Sequence, residues 1–364
     1  MIMNFALLYR LFKVKVWALP SRVIAVVFFI SLLVIPLITT EDYLIRTLIL
    51  AAIFAIYAAS WDVLAGYTGQ LNLGQALFFG SGAYTAALLN LHYKLPPLIT
   101  VPVGGIGAIA IGLIVCLPAL RLRGFYLALV TLCFPIIFMG IIFFFSDFTG
   151  GELGLFGLQS LCNSRIGTYY IIILTMIASV FVMYKFTDVE SSNIRTGIIF
   201  VAICEDEISA RNSGINTTHY KLLAFAISGF FSGIAGGLYA HSLKIAGPST
   251  LEMFFSLEAI IWTIFGGIRS IYGPVSGVFI LYPLMQVLRS IGFAEQIRYV
   301  VFSLILIFSL LYMPEGLSVW IRDKIEIRCQ RCKVINAATR KRCRSCRALL
   351  RLGENDNIQK GEDD

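Results

Sequence analysis

Three groups of residues could do chemistry, and the most specific is a set of four cysteines. The chain has eight cysteines, and four of them read Cys329-Gln-Arg-Cys332 and Cys343-Arg-Ser-Cys346, two C-x-x-C pairs separated by ten residues. That spacing turns both sulfurs of a pair toward one point, and two pairs supply the four thiolates of a tetrahedral Zn²⁺ site. The segment between them is polar and basic, with too little apolar material for a core of its own. A small zinc-ribbon-like module over 329–346, folding with a structural Zn²⁺, is therefore expected. The competing reading is a pair of disulfides. Cys116, Cys133, Cys162 and Cys204 are scattered and read as unpaired structural residues.

The second group lies in the glycine-rich segment Gly66–Tyr84, where Gln70, Asn72 and Gln75 stand among Gly66, Gly69, Gly74, Gly80 and Gly82. Small residues let helices approach closely, and amides bond across a helix pair. Polar side chains at membrane depth otherwise face the bundle interior or a water-filled cavity, which makes these three amides pathway candidates. The third group is Glu205, Asp206, Glu207, Ala210, Arg211 and Gly214. Acids at the start and a glycine at the end suit a short surface helix. An ordinary solvated loop helix would have the same pattern.

These residues must be positioned by membrane helices. Hydrophobic residues make up 58% of the 364 and charged residues 14%, with a mean hydropathy of +0.83. The apolar residues gather in long uncharged runs, each near the roughly 20 residues needed to cross about 30 Å of hydrocarbon. Backbone groups in lipid must pair within their own segment, so the runs are predicted as helices. Ten are expected, near 22–40, 43–65, 71–90, 97–119, 124–146, 168–186, 222–240, 255–268, 273–290 and 297–313. The fold class is all-α, a polytopic transmembrane helix bundle with a small C-terminal module.

Charge sets the expected orientation. Arg10, Lys13, Lys15 and Arg22 precede the first run, and no small-residue cleavage site follows it. The positive-inside rule then places both termini in the cytoplasm. Inside segments carry Arg121, Arg123, Arg195, Arg211, Lys221 and Arg269, whereas outside segments carry only Lys94, Arg165 and Lys244 as Lys or Arg. Three regions follow: a basic cytoplasmic N-terminus (1–21), a transmembrane domain (22–313) with a cytoplasmic loop near 188–221, and a basic cytoplasmic tail (314–364). A cytoplasmic tail is in reducing surroundings, which favours zinc over disulfides. From Arg322 to Arg351 there are eleven Lys or Arg against Asp323 and Glu326. Anionic membrane lipid is the expected partner of that charge, and nucleic acid is not, because the tail starts so close to the last run.

Soluble catalysis finds no support. There is no G-x-x-x-x-G-K-[ST] loop to bind ATP and no Ser/His/Asp or metal-hydrolase arrangement. His92, His219 and His241 fall near helix ends and read as interface or surface residues. Asp62, just after Trp61, reads as an interface residue rather than a buried one.

Three ordered blocks resemble a known family. GYTGQLNLGQALFFGSGAYTAALL, EDEISARNSGINTTHYKLLAFAISGFFSGIAGGLYAH and FGGIRSIYGPVSGVFI are similar to blocks of the branched-chain amino acid permeases, membrane subunits of bacterial ABC importers. The resemblance covers about residues 40–315, and the related urea and short-amide permeases share it. It implies a plasma (inner) membrane, multi-pass subunit that forms the pathway for branched-chain amino acids or related small amino acids and amides. A second permease subunit, two ATP-binding subunits and a solute-binding protein are the implied partners, with ATP hydrolysed there and not on this chain. In such permeases a loop helix with Glu-Ala-Ala, three residues, then Gly docks on the ATPase. Here Ala210 and Gly214 keep the spacing, while Glu207 stands one residue early and Ile208 and Ser209 fill the gap. An ion-coupled secondary transporter, with Glu258 as its best coupling acid, and a membrane sensor signalling through the zinc tail are the alternatives. The exact solute, the partner permease and the role of the tail are not legible here.

Overall fold

A computed structural model describes residues 20–39, 41–119, 122, 124–189, 195–292, 295–332, 334–338, 340, 342–343 and 346–350. Most of the basic N-terminus, the loop residues 190–194, Arg121 and Arg123, and the tail beyond 350 lie outside the described residues. The chain divides into two compact units, residues 36–318 and residues 1–35 with 319–364.

Helices follow one another with short connections. They are α1 (Pro20–Ile38), α2 (Asp42–Thr68), α3 (Gln75–Tyr93), α4 (Pro97–Ala119), α5 (Phe125–Phe144) and α6 (Arg165–Thr187). Then come two short helices, α7 (Thr196–Glu205) and α8 (Glu207–Asn212), followed by α9 (Thr217–Leu243). The series ends with α10 (Met253–Gly266), α11 (Tyr272–Ser290), α12 (Glu295–Tyr312) and α13 (Leu317–Ile325). Ten of these helices overlie the ten predicted apolar runs, and α7 and α8 fill the predicted loop. By length and composition, six stretches among the described residues could each cross a membrane: Asp42–Thr68, Pro97–Ile114, Phe125–Phe144, Arg165–Thr187, Thr217–Leu243 and Val300–Ile325. Stretches within α1 and α10 are shorter apolar helices. The 19-residue helices α3 and α11 carry Gln75, Asn90 and His92, and Gln286 and Arg289.

Burial separates core from rim. The apolar window of α2 is 83% buried and that of α9 is 72%, against 28% for α5. Since α5 is the most apolar of these, its exposed face calls for lipid or another apolar surface. The core forms because α3, α4 and α9 meet at glycines. A Cβ on Gly82 would run into the backbone of Gly233, and one on Gly236 into the Phe79 carbonyl. Such contacts let backbones pack where lipid supplies no hydrophobic drive.

Against the second half of α3, where Ala83, Tyr84 and Ala87 pack on Leu155 and Ala246, β1 (Leu155–Phe156) pairs antiparallel with β2 (Ile245–Ala246), in register Leu155↔Ala246. His241 fixes this region and is fully buried, contrary to its expected surface position. Its ring nitrogens lie 2.7 Å from Thr100 Oγ1 and 2.7 Å from the Gln159 carbonyl. In the other unit, β3 (Glu326–Arg328) pairs with β4 (Ile335–Ala337).

Candidate functional site

Helix α2 ends at Gly69, whose φ of +68° is the left-handed geometry of a helix C-cap. The chain then runs without regular structure to Gly74 before α3 starts. This break inside an apolar hairpin holds the three predicted amides, and all three are buried. Asn72 Nδ2 donates to Gln75 Oε1 at 2.9 Å, and Gln75 Nε2 donates to Ser60 Oγ at 3.0 Å and Ser228 Oγ at 3.1 Å. Asn72 also caps the break, accepting from Gly74 N at 2.9 Å while its carbonyl accepts from Trp61 Nε1 at 2.7 Å. Gln75 thus joins α2, α3 and α9. Gln70 Nε2 donates to Thr68 Oγ1 at 2.9 Å, and its Oε1 is buried without a hydrogen bond. Pro135 in α5 explains why the break sits where it does. It has no N–H for the Thr131 carbonyl four residues earlier. Gly74 packs against that carbonyl, and Leu73 N donates to Thr131 Oγ1 at 3.1 Å.

The three loop acids have three different partners. Asp206 is the N-cap of α8: its Oδ1 accepts from Ile208 N at 2.8 Å and Ser209 N at 3.3 Å. The Ser209 hydroxyl and these backbone N–H groups hold the exposed carboxyl below its ordinary pKa. Glu207 turns inward to Lys221 Nζ at 2.8 Å and also meets Arg211 at 3.2 Å. Glu205 pairs with Arg269 at 2.8 Å. Ala210 is buried beneath α8, and Gly214 closes the helix at φ +84° with open space where a Cβ would stand. The outward face carries Ile208, Ser209, Arg211 and Asn212, with Ile208 61% exposed. Thr68, Gly69 and Gln70 of the break share with Cys204, Glu207 and Lys221 the lining of a cavity of about 100 Å³.

Two residues outside the predicted set join these parts. Asp62 is fully buried, which corrects its interface assignment. Its two oxygens accept from Arg269 N at 2.9 Å and Ser270 N at 3.1 Å. Arg269 sits at φ +60° between α10 and α11. Its side chain donates to the Gly66 carbonyl at 3.2 Å, Glu205 at 2.8 Å and Cys204 Sγ at 3.0 Å. One arginine therefore connects the end of α7, the last turns of α2 and the α10–α11 turn.

In the C-terminal unit, the sulfurs of Cys329, Cys332, Cys343 and Cys346 all lie within 4.8 Å of one another, and none is in a disulfide. Cys329 and Cys346 are 3.5 Å apart and Cys332 and Cys343 3.4 Å apart. Tetrahedral thiolates about 2.3 Å from one zinc stand roughly 3.8 Å apart, so the cluster could hold a metal ion. Asn336, in the polar segment between the two pairs, is in β4 and fully buried, with Nδ2 3.5 Å from Cys343 Sγ.

The fold, with six described stretches long and apolar enough to cross a membrane and a break between two of its helices, is that of a polytopic membrane protein. Residues 43–310 match the family described as branched-chain amino acid transport system / permease component, and the chain belongs to it. It is 28% identical over 308 residues to the high-affinity branched-chain amino acid transport system permease protein LivM of Escherichia coli K12, covering 77% of this chain and 71% of that protein. The LivM of Salmonella typhimurium LT2 is likewise 28% identical, over 76% of this chain and 70% of its own length. A probable branched-chain amino acid permease protein LivH of Methanocaldococcus jannaschii is 24% identical over 59% of this chain and 70% of its own. The protein is a multi-pass membrane permease and not an enzyme.

Proposed function

We propose that this chain lines one half of the translocation pathway of an ABC importer for branched-chain amino acids. A second permease subunit completes the pathway. Two ATP-binding subunits hydrolyse ATP, and a solute-binding protein delivers the solute. The ten helices α1–α6 and α9–α12 cross the inner membrane, with both termini in the cytoplasm. Helix α8 docks on an ATP-binding subunit through the face of Ile208, Ser209, Arg211 and Asn212. Gln70, Asn72 and Gln75 shape the break against which the pathway opens and closes. The observation that carries this reading is the chain of pairs from α8 through Glu207–Lys221 and Glu205–Arg269 to Asp62 and Gly66, beside the break. It gives movement of a docked ATPase a rigid route into α2.

The four tail cysteines bind one structural Zn²⁺, and the basic tail rests on anionic lipid. Elemental analysis of the purified chain should find one zinc per chain, and Cys343→Ser should lose it while the bundle stays folded. In proteoliposomes holding the complete importer, leucine uptake should require ATP and the solute-binding protein. Uptake that persists with inactive ATPases under a proton or sodium gradient would overturn the importer reading.

A further inference from the structure

One acid in the membrane bundle has no partner. Glu258 lies in α10, three residues after Phe255 and four before Trp262, so all three share a helix face. Phe255 and Trp262 both pack on Phe54 of α2, with ring centroids 5.7 and 5.0 Å away. Tyr239 and Tyr282 complete this wall, 5.9 and 5.2 Å from Phe54. Glu258 is therefore set into an aromatic face. Phe255, Glu258, Tyr239 and Tyr282 are only half-buried, so the face is not sealed. Among the described residues the Glu258 carboxylate makes no hydrogen bond or ion pair, and its oxygens are not among the buried unpaired atoms.

Arg46 is a further charge near this wall. It stands eight residues before Phe54 on α2, about two turns away, and it is exposed. No ion pair or hydrogen bond engages it among the described residues. Tyr239 and Tyr282 lie within electrostatic range of both Arg46 and Glu258.

An unpaired carboxylate inside the bundle is costly unless something cationic visits it. Aromatic walls around it add cation–π attraction for an ammonium group. An unpaired guanidinium near that wall suits a carboxylate. We propose that Glu258, with Tyr239, Tyr282 and Phe255, binds the α-ammonium of a free amino acid in transit, while Arg46 attracts its carboxylate. The ring wall then takes an apolar side chain. The choice of amino acid rests on the importer reading, whereas ammonium recognition by Glu258 does not.

Binding to the purified full chain in nanodiscs, followed by tryptophan fluorescence and calorimetry, tests this. The probes are L-leucine, 3-methylbutylamine (no carboxylate) and 4-methylpentanoate (no ammonium). Glu258→Gln, which keeps shape and loses charge, should weaken leucine and the amine by about tenfold or more and leave 4-methylpentanoate unchanged. Arg46→Gln should weaken leucine and 4-methylpentanoate and spare the amine. The site is overturned if the wild-type chain binds neither leucine nor the amine, if Glu258→Gln binds the amine as well as wild type, or if either substitution weakens all three probes alike. A chain that binds the amine through Glu258 but belongs to an importer that moves no leucine would keep the site and refute the solute assignment.

Discussion

Two stretches of α2 hold their charges in opposite ways, the one around Asp62 and the one from Phe54 back to Arg46, while Asp42 at the helix start is paired with Arg165. Toward Thr68, Asp62 accepts two backbone N–H groups, Arg269 reaches Glu205, and Glu207 holds Lys221. In the second stretch, Arg46 stands near the aromatic wall that holds Glu258, and neither has a partner among the described residues. Charges in a low-dielectric bundle persist for one of two reasons. Either they are matched within the protein, and then they fix geometry, or they are left for a ligand. The first kind resists substitution through stability and the second through binding, and that difference can be measured.

The largest expected loss of stability is at Asp62. Asp62→Leu removes both acceptors and orphans two N–H groups, each costing about 1–3 kcal/mol. Thermal unfolding in detergent should show it, with Asp62→Asn intermediate because it keeps one acceptor. An Asp62→Leu protein as stable as wild type would erase the contrast between the two stretches.

Next comes the Glu207–Lys221 pair, whose side chains are 16% and 11% exposed. Reversing either charge alone should destabilise the loop, and Glu207→Lys with Lys221→Glu together should recover most of it. A coupling energy of about 0.5–3 kcal/mol in that cycle is expected for residues in contact. Strict additivity would mean that the pair does not act as one.

Acid should act on α8 through Asp206. Its pKa is depressed in the folded loop, so its contribution is complete above the unfolded carboxyl value. That contribution is lost as pH falls through the lower folded value. Protection factors for amide exchange at Ile208 and Ser209, taken relative to the intrinsic rate at each pH, should fall over that acidic range in wild type, and Asp206→Asn should remove this pH dependence. Protection that rises as pH falls would have the wrong sign.

The smallest stability change should come from Glu258→Gln and Arg46→Gln. With no internal partner to lose, neither should destabilise the protein by more than about 0.5 kcal/mol, and Glu258→Gln, which removes an unpaired charge from the bundle, should if anything stabilise it. A fall of several kcal/mol at either position would mean that a structural partner exists, and the contrast would fail.

Much of this was readable in sequence because it is local. Apolar runs near membrane length give the ten helices, and the two-residue spacing gives the cysteine cluster. Acids followed by a glycine at Gly214 give α8. What was not readable is long-range. Asp62 and Arg269 are 207 residues apart, and Arg269 adopts a left-handed backbone that an arginine does not advertise. Asn336 lies in a segment that reads as polar and basic, yet it is buried beside the Cys343 sulfur. His241 looked superficial because it is near a helix end, but the loop holding Gln159 covers it. Glu258 reads in sequence as an acid within a span, and only the rings around it in the fold point to what it could bind.

The claim that the matched end transmits ATPase movement is tested most directly by the ratio of leucine imported to ATP hydrolysed in proteoliposomes carrying Arg269→Gln. This substitution removes an ion pair whose side chains are 47% and 64% exposed, worth about 1 kcal/mol or less, together with the hydrogen bonds to the Gly66 carbonyl and Cys204, so the ratio is read on importer shown to be assembled. The account predicts ATP hydrolysis close to wild type with a sharply lower leucine-to-ATP ratio. A variant that assembles and imports leucine at the wild-type ratio would contradict it.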